Sequence, residues 1–119
     1  MADVKEIIEK LSKESGVKAV IIVSKEGFAI SVASEDPKVD ADAIAAVVMM
    51  GEKALKSIGE ELSLNDLKMA SYEYEKGTIL VRRINPDAML AVLTEPIAPI
   101  GSLRFLTKRR IKELAKLLQ

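Results

Sequence analysis

The 119-residue sequence predicts an α+β domain with the element order α-β-β-α-β-β-β-α. Three observations carry that reading. Two β-branched runs flank Lys25-Glu26-Gly27, three further strand-like runs are separated by Gly77 and by Asn85-Pro86-Asp87, and segments of helical period stand before, between and after them. Strands grouped in runs, rather than alternating one by one with helices, belong to α+β rather than parallel α/β architecture. The length suits one domain, residues 1–119, in which about two-thirds of the unfolded surface can be buried.

The first helix is read over residues 2–15, with Val4, Ile7, Ile8 and Leu11 at helical spacing among Lys and Glu, and it ends at Gly16. Residues 18–24 and 28–33 form a hairpin, because Gly27 can adopt the positive φ that a short loop demands. Val20 to Val23 do not alternate with polar residues, so this strand is expected inside the sheet, covered on both faces. Asp36-Pro37 makes a loop, and the Asp40 carboxylate is placed to cap a long helix running to about Gly59. Ile44, Val48, Gly51, Leu55, Ile58 and Leu62 advance along it by three or four positions and read as its sheet-facing stripe. Residues 66–75 alternate, with Lys68, Ala70, Tyr72 and Tyr74 on one face. Residues 78–84 and 88–94 complete a meander, and a last helix over residues 96–118 is expected to open at Pro96, with Pro99 distorting its start.

Absent residue types close most routes to chemistry. Without Cys or His there can be no Ser-His-Asp or Cys-His nucleophile, no disulfide and no zinc site of the usual kind. The six glycines are scattered singly, so no phosphate-binding loop is present. The closest carboxylate sets are Asp40/Asp42, Glu60/Glu61 and Glu73/Glu75. They are explained as a helix start, a solvated helix end and one face of an exposed strand. The apolar run 43–50 is far short of the ~18 residues that span a bilayer, and nothing at residues 1–5 resembles a secretory signal. A cytoplasmic protein with no membrane insertion, no metal and no cofactor is expected. A chain with one Gln, two Asn, no Cys and abundant Lys, Glu, Ile and Val has the composition of heat-adapted proteins.

Eighteen basic residues balance eighteen acidic ones, which gives no general reason to expect nucleic acid. The balance is local, however: residues 61–119 hold ten basic against seven acidic groups, concentrated on the last helix. Arg104, Lys108, Arg109 and Lys112 are the candidate partner surface there, although a solvated helix face is the simpler account of such charges. The chain's four aromatics, Phe28, Tyr72, Tyr74 and Phe105, are too few for a stacking platform.

The long helix carries the sharper signal. Its first half is apolar all round, and Ala45, Ala46, Met49 and Met50 lie off the stripe assigned to the sheet. Each large apolar side chain left in water forgoes ~1.5–3 kcal/mol, so this face calls for a cover. A second copy of the same helix across a two-fold axis is one solution, and the chain's own first or last helix is the other. On the first, Ala46→Glu should yield a folded monomer.

The stretch 16–28, GVKAVIIVSKEGF, together with the Ala-rich helix from Asp40, YEYEKG at 72–77 and IGSLR at 100–104, resembles the roadblock/dynein light chain family. Pro99, Ala19 and Phe28 depart from its usual pattern. The resemblance implies a profilin-like architecture, a five-stranded antiparallel sheet packed between helices. It also implies a homodimer in which two third strands join and two long helices lie side by side, bringing Tyr72 and Tyr74 into the interface with Ala45, Ala46, Met49 and Met50. Family members serve as non-catalytic platforms for Ras-like small GTPases, some as GTPase-activating partners, others as adaptors in motor and signalling complexes. No arginine-finger role is thereby implied for Arg104, Arg109 or Arg110. Three other classes make distinct predictions. A small-ligand sensor would show ligand-dependent thermal stabilisation, a carboxylate hydrolase a strongly raised acid pKa, and a nucleic-acid adaptor a steep salt dependence.

Overall fold

The computed structural model describes residues 3–119, and the described residues form three helices and five strands in the expected order. Helix α1 (Val4–Ser12) is capped by Asp3, whose carboxylate accepts from the Glu6 N–H at 2.8 Å. Its expected start at residue 2 lies outside the described residues, and its end falls three positions earlier than read, in a turn that leads to Gly16. Strands β1 (Val17–Ser24) and β2 (Ala29–Ala33) form the hairpin, closed by the Ser24 N–H donating to the Phe28 carbonyl at 2.9 Å. Gly27 at its turn has φ +90°, which L side chains rarely adopt.

Helix α2 (Ala41–Glu61) starts at Asp40, whose carboxylate accepts from the Ala43 N–H at 3.1 Å. It outruns Gly59 by two residues and then stops in a Schellman arrangement. The Leu64 N–H reaches the Gly59 carbonyl at 2.8 Å and the Ser63 N–H reaches that of Glu60, with Ser63 left-handed at φ +56°. Strands β3 (Met69–Tyr74), β4 (Gly77–Asn85) and β5 (Ala88–Thr94) make the meander. The final helix α3 (Ile100–Leu117) corrects the expected start at Pro96: it begins only behind Pro99. A proline disfavours helical geometry in the residue before it, so Ala98 cannot continue a helix into Pro99, and 95–99 forms a connection instead.

All neighbouring strands are antiparallel, in the order β2-β1-β5-β4-β3, so the hairpin and the meander are joined through β1 and β5. As expected, β1 is covered on both faces, and alternation divides its side chains between two layers. Val20 and Ile22 face α1 and α3, in a cluster with Ile7, Ile8, Leu11, Leu80, Leu90, Val92 and Leu114. Ile21 and Val23 face α2, in a smaller cluster with Ala45, Val81, Met89 and Ala91. The edges of the sheet are β2 and β3.

Candidate functional site

Helix α2 touches its sheet with one narrow face of its N-terminal half. Ala45, with no exposure, is its only buried residue, flanked by partly buried Ala41, Val48 and Met49 on the cluster around Ile21 and Val23. Asp42 fastens this end, accepting from the Ala29 N–H of β2 at 3.2 Å. The stripe expected to face the sheet does so only in its first half, where Ile44 and Val48 pack on that cluster. Ile58 and Leu62 are exposed, while Ile44, Gly51 and Leu55 are only partly covered. At 100° per residue the helix is rolled toward its alanine face. Small residues allow a close approach to strands β1 and β2, and the bulkier aliphatics are displaced over the other half of the sheet.

That displacement opens a cleft of about 330 Å³ between α2 and strands β3, β4 and β5. Ile44, Val47, Val48 and Gly51 form one wall, and Tyr72, Tyr74, Ile79 and Leu93 form the other. The Tyr72 hydroxyl reaches across the cleft to Gly51 of α2, 3.9 Å from where a side chain there would begin, an ordinary contact distance. Glu52 borders the cleft with one carboxylate oxygen buried and without a hydrogen-bond partner. Burial pushes its pKa up, opposed by the charges of Arg83 and Lys56. Burial also raises the Tyr72 phenol, with Glu52 and then Tyr74 adding to it. Among the described residues no group of three or more acidic side chains converges as a metal site would require. The arrangement is an apolar receptacle beside a free strand edge, suited to binding rather than to proton transfer.

The residues expected at an interface are divided by this geometry. Ala46, Met50 and Tyr74 are exposed, whereas Met49 and Tyr72 are half-buried. Ala45 is a correction: it is sealed against the chain's own sheet and has no surface to offer a partner. Ala46 lies toward the β1–β2 turn, its Cα 3.7 Å from where a Gly27 side chain would begin, and so on the flank away from the cleft. Sequence reasoning missed Val47, 62% exposed, which with Ala43, Met50 at 70%, Ala54 and Ile58 forms an uncovered apolar stripe. Its spacing of 4, 3, 4 and 4 was present in the sequence as a second stripe beside the one assigned to the core.

Residues 3–94, spanning every strand and the whole of α2, match the model of the Roadblock/LC7 domain family. The chain belongs to that family. It is 30% identical over 104 residues to the uncharacterized protein MJ0714 of Methanocaldococcus jannaschii, covering 87% of this chain and 86% of that one. Among solved structures it is similar to Myxococcus xanthus MglB, with a TM-score of 0.88 at 21% identity over 96% of this chain and 93% of that one. It is also similar to an MglB described as having a tetrameric arrangement, with a TM-score of 0.87 at 21% identity over 94% and 85% of the two chains. The α+β fold, with its five-stranded antiparallel sheet between helices, is therefore that of a roadblock domain.

On this roadblock domain three of the basic residues expected as a partner surface, Arg104, Lys108 and Lys112, stand at i, i+4 and i+8 of α3. Lys108 and Lys112 turn toward the loop between α2 and β3, together with Arg82, Arg83 and Lys68. Arg109 instead lies over the Phe105 ring, 5.9 Å from its centre, and the backbone carbonyl of Arg104 accepts from the Arg82 guanidinium at 3.1 Å.

Proposed function

We propose that this roadblock domain is a non-catalytic, homodimeric scaffold that binds and regulates a Ras-like small GTPase. The observation that carries the reading is the uncovered apolar stripe of α2 standing over a cleft beside the free edge of β3. An isolated domain gains nothing by holding Val47, Met50 and Ile58 in water, and a second α2 laid across them removes that cost. Pairing of two β3 strands along Met69–Tyr74 would satisfy the edge at the same time. The tetrameric arrangement named for one structural neighbour supports self-association in proteins of this fold. The GTPase assignment rests on family membership, and the absence of His and Cys from the sequence agrees with a non-catalytic role.

Two measurements test it. Sedimentation equilibrium should give a dimer for the native chain and a folded monomer for Val47→Glu; a full-strength dimer in that variant removes α2 from the interface. A pull-down from source extract with GDP or a non-hydrolysable GTP analogue should enrich a small GTPase in one nucleotide state. Equal recovery in both states, or recovery of the chain alone, refutes regulation.

A further inference from the structure

A groove of about 820 Å³ lies between α3, the α2–β3 loop and the end of β4. Arg82, Lys108 and Lys112 place its basic wall on the α3 side of the sheet, while Leu64, Leu67 and Lys68 also border a smaller cavity with Leu55 and Ile58 of α2. Exposed Leu64 and partly covered Leu67 and Ile111 form the groove's apolar part, over Ile84 of the core. Leu64 is 66% exposed and is held between two left-handed residues, Ser63 at φ +56° and Asn65 at φ +64°. Ser63 closes the Schellman cap of α2 and asparagine tolerates the same conformation, and between them the leucine stands in solvent. The loop is seated tightly, since a side chain on Gly59 would begin 2.9 Å from the Asn65 carbonyl oxygen.

The charge of the groove is one-sided. Lys68, Arg82, Arg83, Lys108 and Lys112 line it, against the single acid Asp66. Two of the five cations are engaged within the chain: Arg83 pairs with Asp66 at 2.8 Å, and Arg82 donates to Thr107 Oγ1 at 3.2 Å. Lys68, Lys108 and Lys112 have no carboxylate within 4.0 Å among the described residues. Because the whole chain is neutral, this is a local concentration rather than general basicity. The groove contains no aromatic side chain on which a base could stack, and a phosphate backbone has no use for four aliphatic residues. Carboxylates for the lysines and aliphatic side chains for the leucines are the complementary chemistry. We propose that this groove binds an acidic amphipathic helix of a partner protein.

The test uses the full chain and a fluorescein-labelled synthetic peptide of about fifteen residues, with Glu on one helical face and Leu on the other, followed by anisotropy. Saturable binding is expected, weakening at about 0.5 M NaCl as exposed charges are screened. The double variant Lys108→Glu/Lys112→Glu should bind about tenfold more weakly, as two attractions become repulsions. Leu64→Ser should lose roughly tenfold through its apolar anchor. Circular dichroism melts of both variants should match the native chain, since all three side chains are exposed. Absence of saturable binding overturns the proposal, as does unchanged affinity in either variant. Equal binding of a peptide with Ser in place of Leu overturns it by reducing the site to bare charge. Tighter binding of an oligouridylate that the double variant abolishes overturns it in favour of nucleic acid.

Discussion

The two faces of the sheet are covered differently although each carries helix. On one face α1 and α3 together enclose Ile7, Ile8, Leu11, Leu114 and the inward residues of four strands, and this is where most of the buried aliphatic volume lies. On the other, α2 contributes a single fully buried alanine flanked by partly covered Ala41, Ile44, Val48 and Met49, while Val47, Met50 and Ile58 stay in water. Both faces are written in the same Ile, Val and Leu. The first face is closed within one chain, while the second leaves Val47, Met50 and Ile58 exposed.

Four substitutions sharpen or break that contrast. Ile8→Ala, in the closed face, should cost ~2–5 kcal/mol in urea unfolding by leaving a cavity among well-packed neighbours. Gly77→Ala should cost ~1–3 kcal/mol, because the new Cβ would lie 2.4 Å from the Thr94 carbonyl oxygen and force the β3–β4 turn to shift. Glu52→Gln should have a smaller effect that depends on pH. The folded carboxyl sits above its ordinary 4.5, so the folded chain binds this proton more tightly than the unfolded one. Its contribution is therefore fully present below the unfolded pKa and is lost as pH rises through the raised folded value. The glutamine variant should flatten that part of the stability profile, and an unchanged profile would show that burial of Glu52 is of no consequence. Met50→Ala, measured at a dilution where the chain is monomeric, should change stability by about 0.5 kcal/mol or less. A loss comparable to that of Ile8→Ala would mean that the α2 face is closed after all.

The eight elements were legible because each is announced locally: β-branched runs, Gly27 at a two-strand turn, and Asp40 ahead of an apolar-periodic stretch. The seat of α2 was not, because its first half offers apolar residues in every direction and periodicity cannot rank two adequate stripes. Tertiary geometry decided for Ala45, which permits the closer approach. Ala45 thus left the candidate interface, and Val47, of the second stripe, entered it. The start of α3 was misplaced because Pro96 and Pro99 both suit a first helical turn, and only the restriction that Pro99 places on Ala98 separates them. The groove was only half visible. Lys108 and Lys112 stand out on α3, but Lys68 and Leu64 lie some forty positions earlier and reach it only through the pairing of β3 with β4.

The sheet order also constrains how the chain reaches this state. The hairpin and the meander each close over a few residues, but the central ladder pairs Ala19 with Leu93, residues well over half the chain apart. That closure carries a larger chain-entropy cost than the local turns do. Until that ladder forms, both halves display unpaired apolar edges at β1 and β5, four open edges instead of the native two. The most buried strands of the finished domain are thus the most adhesive ones during synthesis, and the hazard of misassembly is concentrated in that interval.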